Sequence, residues 1–126
     1  MEHLMLEALK GFPENTVAFA ARGRLTQSDY RTVLVPAVEA ALKTHKKLRV
    51  YFEIGSDFAG VDPSAVWQDF KVGLRHWLRW ERIAVVTDIG WIRNAIWPLG
   101  FLMPAKLKVF PTSDAPQARK WLAFAA

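Results

Sequence analysis

One stretch decides the fold of this chain: Glu81-Arg82-Ile83-Ala84-Val85-Val86-Thr87-Asp88. Its four central residues are all apolar, and charged residues flank them. A strand without polar alternation is typical of an α/β protein, in which helices cover both faces of the sheet. We therefore interpret this strand as the centre of the sheet. The aspartate that ends the stretch is expected to cap the following helix through its carboxylate.

The composition excludes several kinds of protein. The chain has 126 residues, 52% of them hydrophobic, which is enough for one domain with its own core. It has no cysteine, so disulfides and thiol catalysis are excluded. Its three histidines lie in separate parts of the chain, and we expect neither a metal site nor a cofactor. With no signal peptide and no run long enough to span a bilayer, a cytoplasmic protein is expected.

The charge balance is basic. The formal net charge is +5 and the sequence pI is about 9.8. This balance permits contact with an anionic membrane surface or with nucleic acid, but it requires neither. We favour a solvated basic surface over a nucleic-acid site.

The pattern along the rest of the chain predicts a single α/β domain spanning residues 1–126, with the element order ββαβαβαβα. Two short strands around a compact turn predict an antiparallel hairpin at the start. Pro36 lies inside the first helical pattern and predicts an interruption there. The sheet is expected to be mixed and mainly parallel, with helices flanking it. The predicted strands are 4–9, 16–21, 48–54, 81–88 and 106–110, and the predicted helices begin near Thr26, Asp62, Ile89 and Ser113. The second of these helices is expected to run to about Trp80, with Arg79 on its basic outer face.

Several stretches, in order along nearly the whole chain, are similar to the SpoIIAA-like family. The resemblance implies a STAS-like topology and the shape of the CRAL-TRIO lipid-binding fold. The stretches are Gly23-Arg24-Leu25-Thr26-Gln27-Ser28-Asp29-Tyr30, Asp57-Phe58-Ala59-Gly60, Ala65-Val66-Trp67-Gln68-Asp69-Phe70-Lys71, His76, Glu81 to Asp88, Trp91, and Ala118-Arg119-Lys120-Trp121-Leu122.

The family resemblance also bears on function. It implies a small bacterial cytoplasmic protein without established catalysis, which binds an apolar ligand or associates peripherally with a membrane. Related anti-sigma-factor antagonists carry a phosphorylated serine in an Asp-Ser-Ser-Gly-like segment after the third strand. The corresponding region here, Gly55-Ser56-Asp57-Phe58-Ala59-Gly60, does not match that segment. A phosphorylation switch of the sporulation type is therefore not expected.

Catalytic motifs are not found. Gly55 and Gly60 have the spacing of a phosphate-binding loop, but Val61-Asp62 stands where such a loop needs lysine and a hydroxyl residue. No serine lies in a nucleophile-elbow sequence. We expect that this protein is not an enzyme.

Three polar residues are candidate anchors for a ligand: Asp69, His76 and Asp88. Asp69 and His76 are seven residues apart on a predicted helix, about 10 Å along its axis, which is too far for a direct hydrogen bond. They either anchor a ligand or bond to neighbouring loops, and the second interpretation is favoured. Asp88, with Glu53 and Asp57, lies where open α/β sheets bind ligands, although turns and caps explain these carboxylates more simply.

The segment from Ile89 to Met103 is apolar on more than one helical face. One sheet covers only one face, so apolar surface should remain for a partner, a ligand or a membrane. The equally weighted alternative is that neighbouring elements bury this helix completely. We predict a non-enzymatic module for an apolar or lipid-like ligand, or an anionic membrane surface. The alternative is a STAS-type regulatory module that binds a protein partner or a second copy. The predicted face is Trp91, Ile92, Ala95, Ile96, Trp97, Leu99, Phe101 and Leu102.

Overall fold

The structure, a computed structural model, describes residues 5–62, 71 and 75–124, with the side chain of Leu99 excepted. Its strands are β1 (Leu6–Ala8), β2 (Thr16–Ala21), β3 (Arg24–Leu25), β4 (Leu48–Ile54), β5 (Gly60–Val61), β6 (Trp80–Thr87) and β7 (Lys106–Phe110). The α-helices whose bounds lie within the described residues are α1 (Gln27–Asp29), α2 (Val35–Leu42), α3 (Gly90–Ile96) and α4 (Ala115–Ala123), and Lys71 and Arg75 are also helical. A π-helical turn, Tyr30–Leu34, joins α1 to α2, and 3-10 turns occupy Trp77–Arg79, Trp97–Phe101 and Thr112–Asp114.

Within the described residues, five strands form one sheet in the order β1-β2-β4-β6-β7. β1 is antiparallel to β2 and the other pairs are parallel, so the predicted mixed, mainly parallel sheet with flanking helices is confirmed. The middle strand is β4, and β6 lies beside it with Phe52 opposite Val85. The prediction that residues 81–88 form the sheet centre was therefore wrong by one strand. The short parallel pair of β3 and β5 was not predicted.

The first helix begins as its sequence predicts. Thr26 is the N-cap, and Asp29 completes a capping box by accepting the backbone N–H of Thr26 at 2.7 Å. The other oxygen of the Asp29 carboxylate accepts the backbone N–H of Met5 at 2.7 Å, which ties the start of the described chain to this helix. Because Pro36 has no N–H to donate, the regular helical pattern fails before it, and the π-helical turn precedes α2.

One face of the sheet, which we call the sealed face, is closed by α4. Ala118 and Leu122 of α4 are buried against it. Two arginines of the sheet hold the end of this helix: Arg82 donates to the carbonyl of Trp121 at 2.7 Å, and Arg49 donates to the carbonyls of Leu122 and Phe124. The sealed face consists of Ala18, Tyr51, Ala84, Val86 and Phe110.

The opposite face, which we call the open face, carries the larger apolar cluster. Leu34 and Val38 pack on it from the first helical region, and Ile92 packs on it from α3. Because side chains alternate along a strand, each parallel strand contributes to both faces. The open face consists of Val17, Phe19, Val50, Phe52, Ile83, Val85 and Leu107.

Two predictions near the predicted second helix need correction. That helix was expected to reach Trp80, but Trp80 is the first residue of β6, and residues 63–70 and 72–74 lie outside the description. Arg79 was assigned to the outer face of that helix. Instead it donates to the carbonyl of Leu42 at 3.1 Å and of His45 at 2.8 Å, which closes the end of α2.

Asp88 does not cap α3, contrary to prediction. Its carboxylate accepts the backbone N–H of Thr112 at 2.8 Å. The N-cap of α3 is Ile89, whose own N–H donates to the hydroxyl of Thr87 at 3.1 Å. Asp88 therefore joins the loops that follow β6 and β7.

Candidate functional site

An apolar cleft of about 340 Å³ lies on the open face of the sheet. Strands β2, β4 and β6 form its floor, through residues such as Phe19, Phe52 and Val85. Leu34 contributes to its walls from the π-helical turn and Ile96 from α3. Among its described lining residues the polar atoms are those of Tyr30, Trp80 and the backbone. The cleft is therefore suited to a hydrocarbon group.

The cleft forms because, among the described residues, nothing fully covers the middle strand on the open face. Val50 and Phe52 of β4 point to the open face and are only half-buried. Tyr51 lies between them, points to the sealed face and is 1% exposed. The middle strand of a parallel sheet is normally buried on both faces. The exposure of Val50 and Phe52 thus marks an opening in the cover of the open face.

Phe58 connects the cleft to the protein surface. It lines the cleft from the loop after β4, and its ring lies 6.5 Å, centroid to centroid, from the ring of Trp91. The backbone fixes this loop, since the N–H of Phe58 donates to Gly55 at 3.1 Å and that of Ala59 to Gly23 at 2.6 Å. Phe58 was not among the predicted site residues. Its position just after the carboxyl end of a strand is the feature of the sequence that could have identified it as a site residue.

The apolar segment after β6 is divided between the interior and the surface. Ile92 is buried in the core at 5% exposure, so it does not belong to an exposed face as predicted, and Ile96 is half-buried and lines the cleft. Ala95 is exposed. The side chain of Leu99 lies outside the description. Four large apolar side chains of this segment are exposed, and we call them together the aromatic patch: Trp91 (65% exposed), Trp97 (66%), Phe101 (76%) and Leu102 (71%). Within this set, the rings of Trp97 and Phe101 are in contact.

Comparisons with known proteins identify the fold family. The sequence profile of the SpoIIAA-like family matches residues 16–123. The chain belongs to the SpoIIAA-like family. It is also similar to a solved structure, that of an uncharacterised DUF3478-family protein with a SpoIIAA-like fold from Shewanella loihica PV-4, with 25% identity, a TM-score of 0.77 and 98% of each chain covered. No protein with a curated function matches the chain.

Membership of the SpoIIAA-like family confirms the resemblance and supports a regulatory or interaction module. The related structure is described as that of an uncharacterised protein, with no function stated for it. No helix in the described part of the chain is long and apolar enough to cross a membrane.

The predicted polar anchors of this SpoIIAA-like chain do not meet at the cleft. Asp69 lies outside the described residues. His76 pairs with the carboxylate of Glu39, Nε2 to Oε1, at 3.1 Å and sets its ring edge-on to Trp80, which gives it an architectural role. Asp88 binds Thr112, as described above.

Carboxylates at the carboxyl ends of the strands also stay apart. Glu53 accepts the hydroxyl of Tyr51 at 2.8 Å on the sealed side, and Asp57 is exposed. Burial, reinforced by this hydrogen bond to Glu53, raises the pKa of Tyr51 to about 12. No group of three or more metal-ligating side chains occurs among the described residues.

Proposed function

We propose that this SpoIIAA-like chain is a non-enzymatic binding module that takes an apolar, lipid-like ligand in the cleft and acts in the cytoplasm. One observation carries the proposal: the half-buried Val50 and Phe52 at the centre of an apolar cleft. A volume of about 340 Å³ is within the range of small-molecule sites, roughly 300 to 1,000 Å³. Burial of a hydrocarbon group against these side chains supplies the binding free energy.

The lining also restricts the chemistry of the ligand. No charged side chain lies among the described residues of the cleft. A charged or strongly polar group placed there would lose its hydration without a compensating partner. The ligand is therefore expected to bury an apolar chain or ring system and to keep its polar end at the surface near Phe58 and Trp91, whose rings are in contact.

A fluorescent fatty acid, added to the delipidated protein, tests this proposal. The wild type should bind it, and native mass spectrometry of freshly purified protein should show a co-purifying lipid. Val50→Phe should weaken binding at least tenfold because the larger ring occupies the cleft. Val109→Phe is the matched control. It makes the same replacement on the open face of the sheet, but in β7, at a residue that does not line the cleft. Absence of binding, or equal loss in both variants, would contradict the proposal.

A second candidate function is that of a regulatory interaction module of the STAS type. The aromatic patch supports it, because Trp97 and Phe101 are both exposed and their rings are in contact, and adjoining exposed apolar side chains often mark a contact surface. The partner would be a protein, a second copy of this chain or an anionic membrane surface. Vesicles containing phosphatidylglycerol that shift the amide signals of this surface would identify the partner as a membrane and not a protein.

A further inference from the structure

Strand β7 is a free edge of the sheet. It pairs with β6 on one side, and no strand among the described residues pairs with the other. In a parallel pair, alternate residues of an edge strand direct their N–H and C=O groups away from the neighbouring strand. β7 thus offers backbone donors and acceptors to an added strand.

A groove runs beside this edge. One of its walls consists of Trp97 and Phe101, whose rings meet edge to face at 5.1 Å between centroids. Leu107 and Val109 of β7 line the groove opposite them. These apolar side chains could receive the apolar side chains of an added strand on the same face of the sheet.

The charged residues that line the groove or belong to β7 are all basic. No acidic residue occurs between Asp88 and Asp114. Arg93, Lys106 and Lys108 are exposed, and none of them has a carboxylate within ion-pair distance in the described part of the chain. The cations of this region are thus available to a negatively charged partner.

The alternation of β7 specifies what such a partner should look like. Lys106 and Lys108 point to one side of the strand, whereas Leu107 and Val109 point to the other. In an added strand, residues beside the two lysines should be acidic and the intervening residues apolar. We propose that β7 binds an extended segment of a partner protein in which acidic and apolar residues alternate, as one further strand of the sheet.

The charges disfavour a second copy of this chain as the occupant. Two β7 strands side by side would bring lysines against lysines, and like charges on neighbouring strands are destabilising. A bilayer is also disfavoured, since lipid cannot satisfy the backbone groups of β7 in register. An acidic extended segment satisfies the backbone groups, the lysines and the apolar groove together.

A synthetic peptide with three Glu-Val repeats and blocked ends tests the proposal, with a Lys-Val peptide of equal length as its control. The readouts are amide chemical shifts in two-dimensional NMR and hydrogen-exchange rates. The Glu-Val peptide should shift the amides of residues 106–110 and slow the exchange of alternate amides of β7. The Lys-Val peptide should bind at least about tenfold more weakly, given two favourable cross-strand charge pairs replaced by two unfavourable ones.

Charge reversal in the protein provides the specific control. The double variant Lys106→Glu, Lys108→Glu should reverse the preference, binding the Lys-Val peptide better than the Glu-Val peptide. Both side chains are exposed, so the variant should fold, and its melting temperature verifies this. Lys46→Glu with Lys47→Glu makes the same charge change at two exposed lysines before β4 and should leave the preference unchanged.

Several results would overturn the proposal. One is no shift of the β7 amides, and another is equal binding of the two peptides. A third is undiminished binding of a Glu-Val peptide whose backbone is N-methylated at alternate residues, because that peptide cannot form the ladder. Vesicles containing phosphatidylglycerol that shift the same amides and compete with the peptide would assign the surface to a membrane. Val50→Phe, which tests the cleft, should leave peptide binding intact, so the two proposals fail separately.

Discussion

The two faces of the sheet use the same strands but differ in how they are covered. On the sealed face, Ala84 and Val86 are fully buried beneath α4. On the open face, the neighbouring Ile83 of the same strand is half-buried, as are two residues of β4. Both faces are rich in apolar residues. The difference shows that apolar content builds the sheet, whereas the packing of the helices decides whether a face becomes core or remains available to a ligand.

Polar interactions reinforce this difference on the sealed side. Arg49 is 8% exposed and donates through Nε to the carboxylate of Glu81 at 2.5 Å. Its other nitrogens reach the carbonyls at the end of α4, as described above. A buried guanidinium is tolerated only when its donors are satisfied, and in return it fixes the position of the groups that satisfy it. On the open side, Arg79 closes the end of α2 through the carbonyls of Leu42 and His45, but its side chain is only half-buried.

Introducing an aspartate on each face of the sheet should give the largest difference in stability between two variants. Val86→Asp places a carboxylate on the sealed face at a position with 0% exposure. It should destabilise the protein by about 4 kcal/mol or more and abolish folding. Val50→Asp makes the same change where the side chain reaches the half-open cleft, and it should cost less than half as much. Urea unfolding followed by circular dichroism measures both.

Equal destabilisation of the two aspartate variants would contradict the difference in cover between the two faces. Equal loss would mean that the cleft is closed in solution and that Val50 belongs to a sealed core. Val50→Leu is the matched control for side-chain replacement, because it keeps the position apolar and should change the free energy of unfolding by less than about 1.5 kcal/mol.

The second prediction concerns alkaline pH and the sealed face. The pKa of Tyr51 is raised to about 12 by burial and by its hydrogen bond to Glu53. The folded state therefore retains the phenolic proton between pH 10 and 12, while the unfolded state releases it. The resulting stabilisation is present below pH 10 and is lost as the pH rises toward 12, by about 2 to 3 kcal/mol.

Unfolding in urea at pH 9, 10 and 11 measures this loss. Tyr51→Phe should remove it, so the difference in stability between wild type and variant should shrink as the pH rises. Lysines also titrate in this range, but they do so equally in both proteins, and the difference isolates the tyrosine. A difference in stability that stays constant with pH would show that Tyr51 has the same pKa in the folded and the unfolded protein.

The sequence predicted the strands well because their signals are local. The apolar run before Thr87 and the alternation of residues 106–110 each occupy one element, and both strands were found. The order of strands across the sheet is different, because it depends on pairing between segments distant in sequence. Hence the apolar run identified an interior strand, but β4 and not β6 is the middle one.

The candidate site was only partly predictable for the same reason. Helical periodicity showed that residues 89–103 are apolar on more than one face, but the predicted face combined Trp91, which is exposed, with Ile96, which is half-buried. It could not show that Ile92 is sealed in the core, nor that Phe58 reaches the cleft, since both depend on the helices packed on the open face. The partner of Asp88 is 24 residues away in the chain, and no local pattern indicates it.

The smallest expected change in stability comes from replacing an exposed tryptophan by serine, with a half-buried tryptophan as the matched comparison. Trp97 is 66% exposed in the aromatic patch, so Trp97→Ser should change the free energy of unfolding by less than about 1 kcal/mol. Trp121 is half-buried on α4, with its ring 5.9 Å from that of Phe110 and the guanidinium of Arg82 at 5.3 Å. Trp121→Ser should cost about 2 kcal/mol, because it removes apolar packing and a cation–π contact.

Urea titrations of the two serine variants, followed by circular dichroism, measure this difference. The result bears directly on the aromatic patch, since Trp97 also forms a wall of the groove beside β7. A Trp97→Ser protein that stays stable but no longer binds the Glu-Val peptide would show that the ring serves an interaction. If Trp97→Ser instead melts as early as Trp121→Ser, the ring supports the fold, and the aromatic patch is part of the core of the open face.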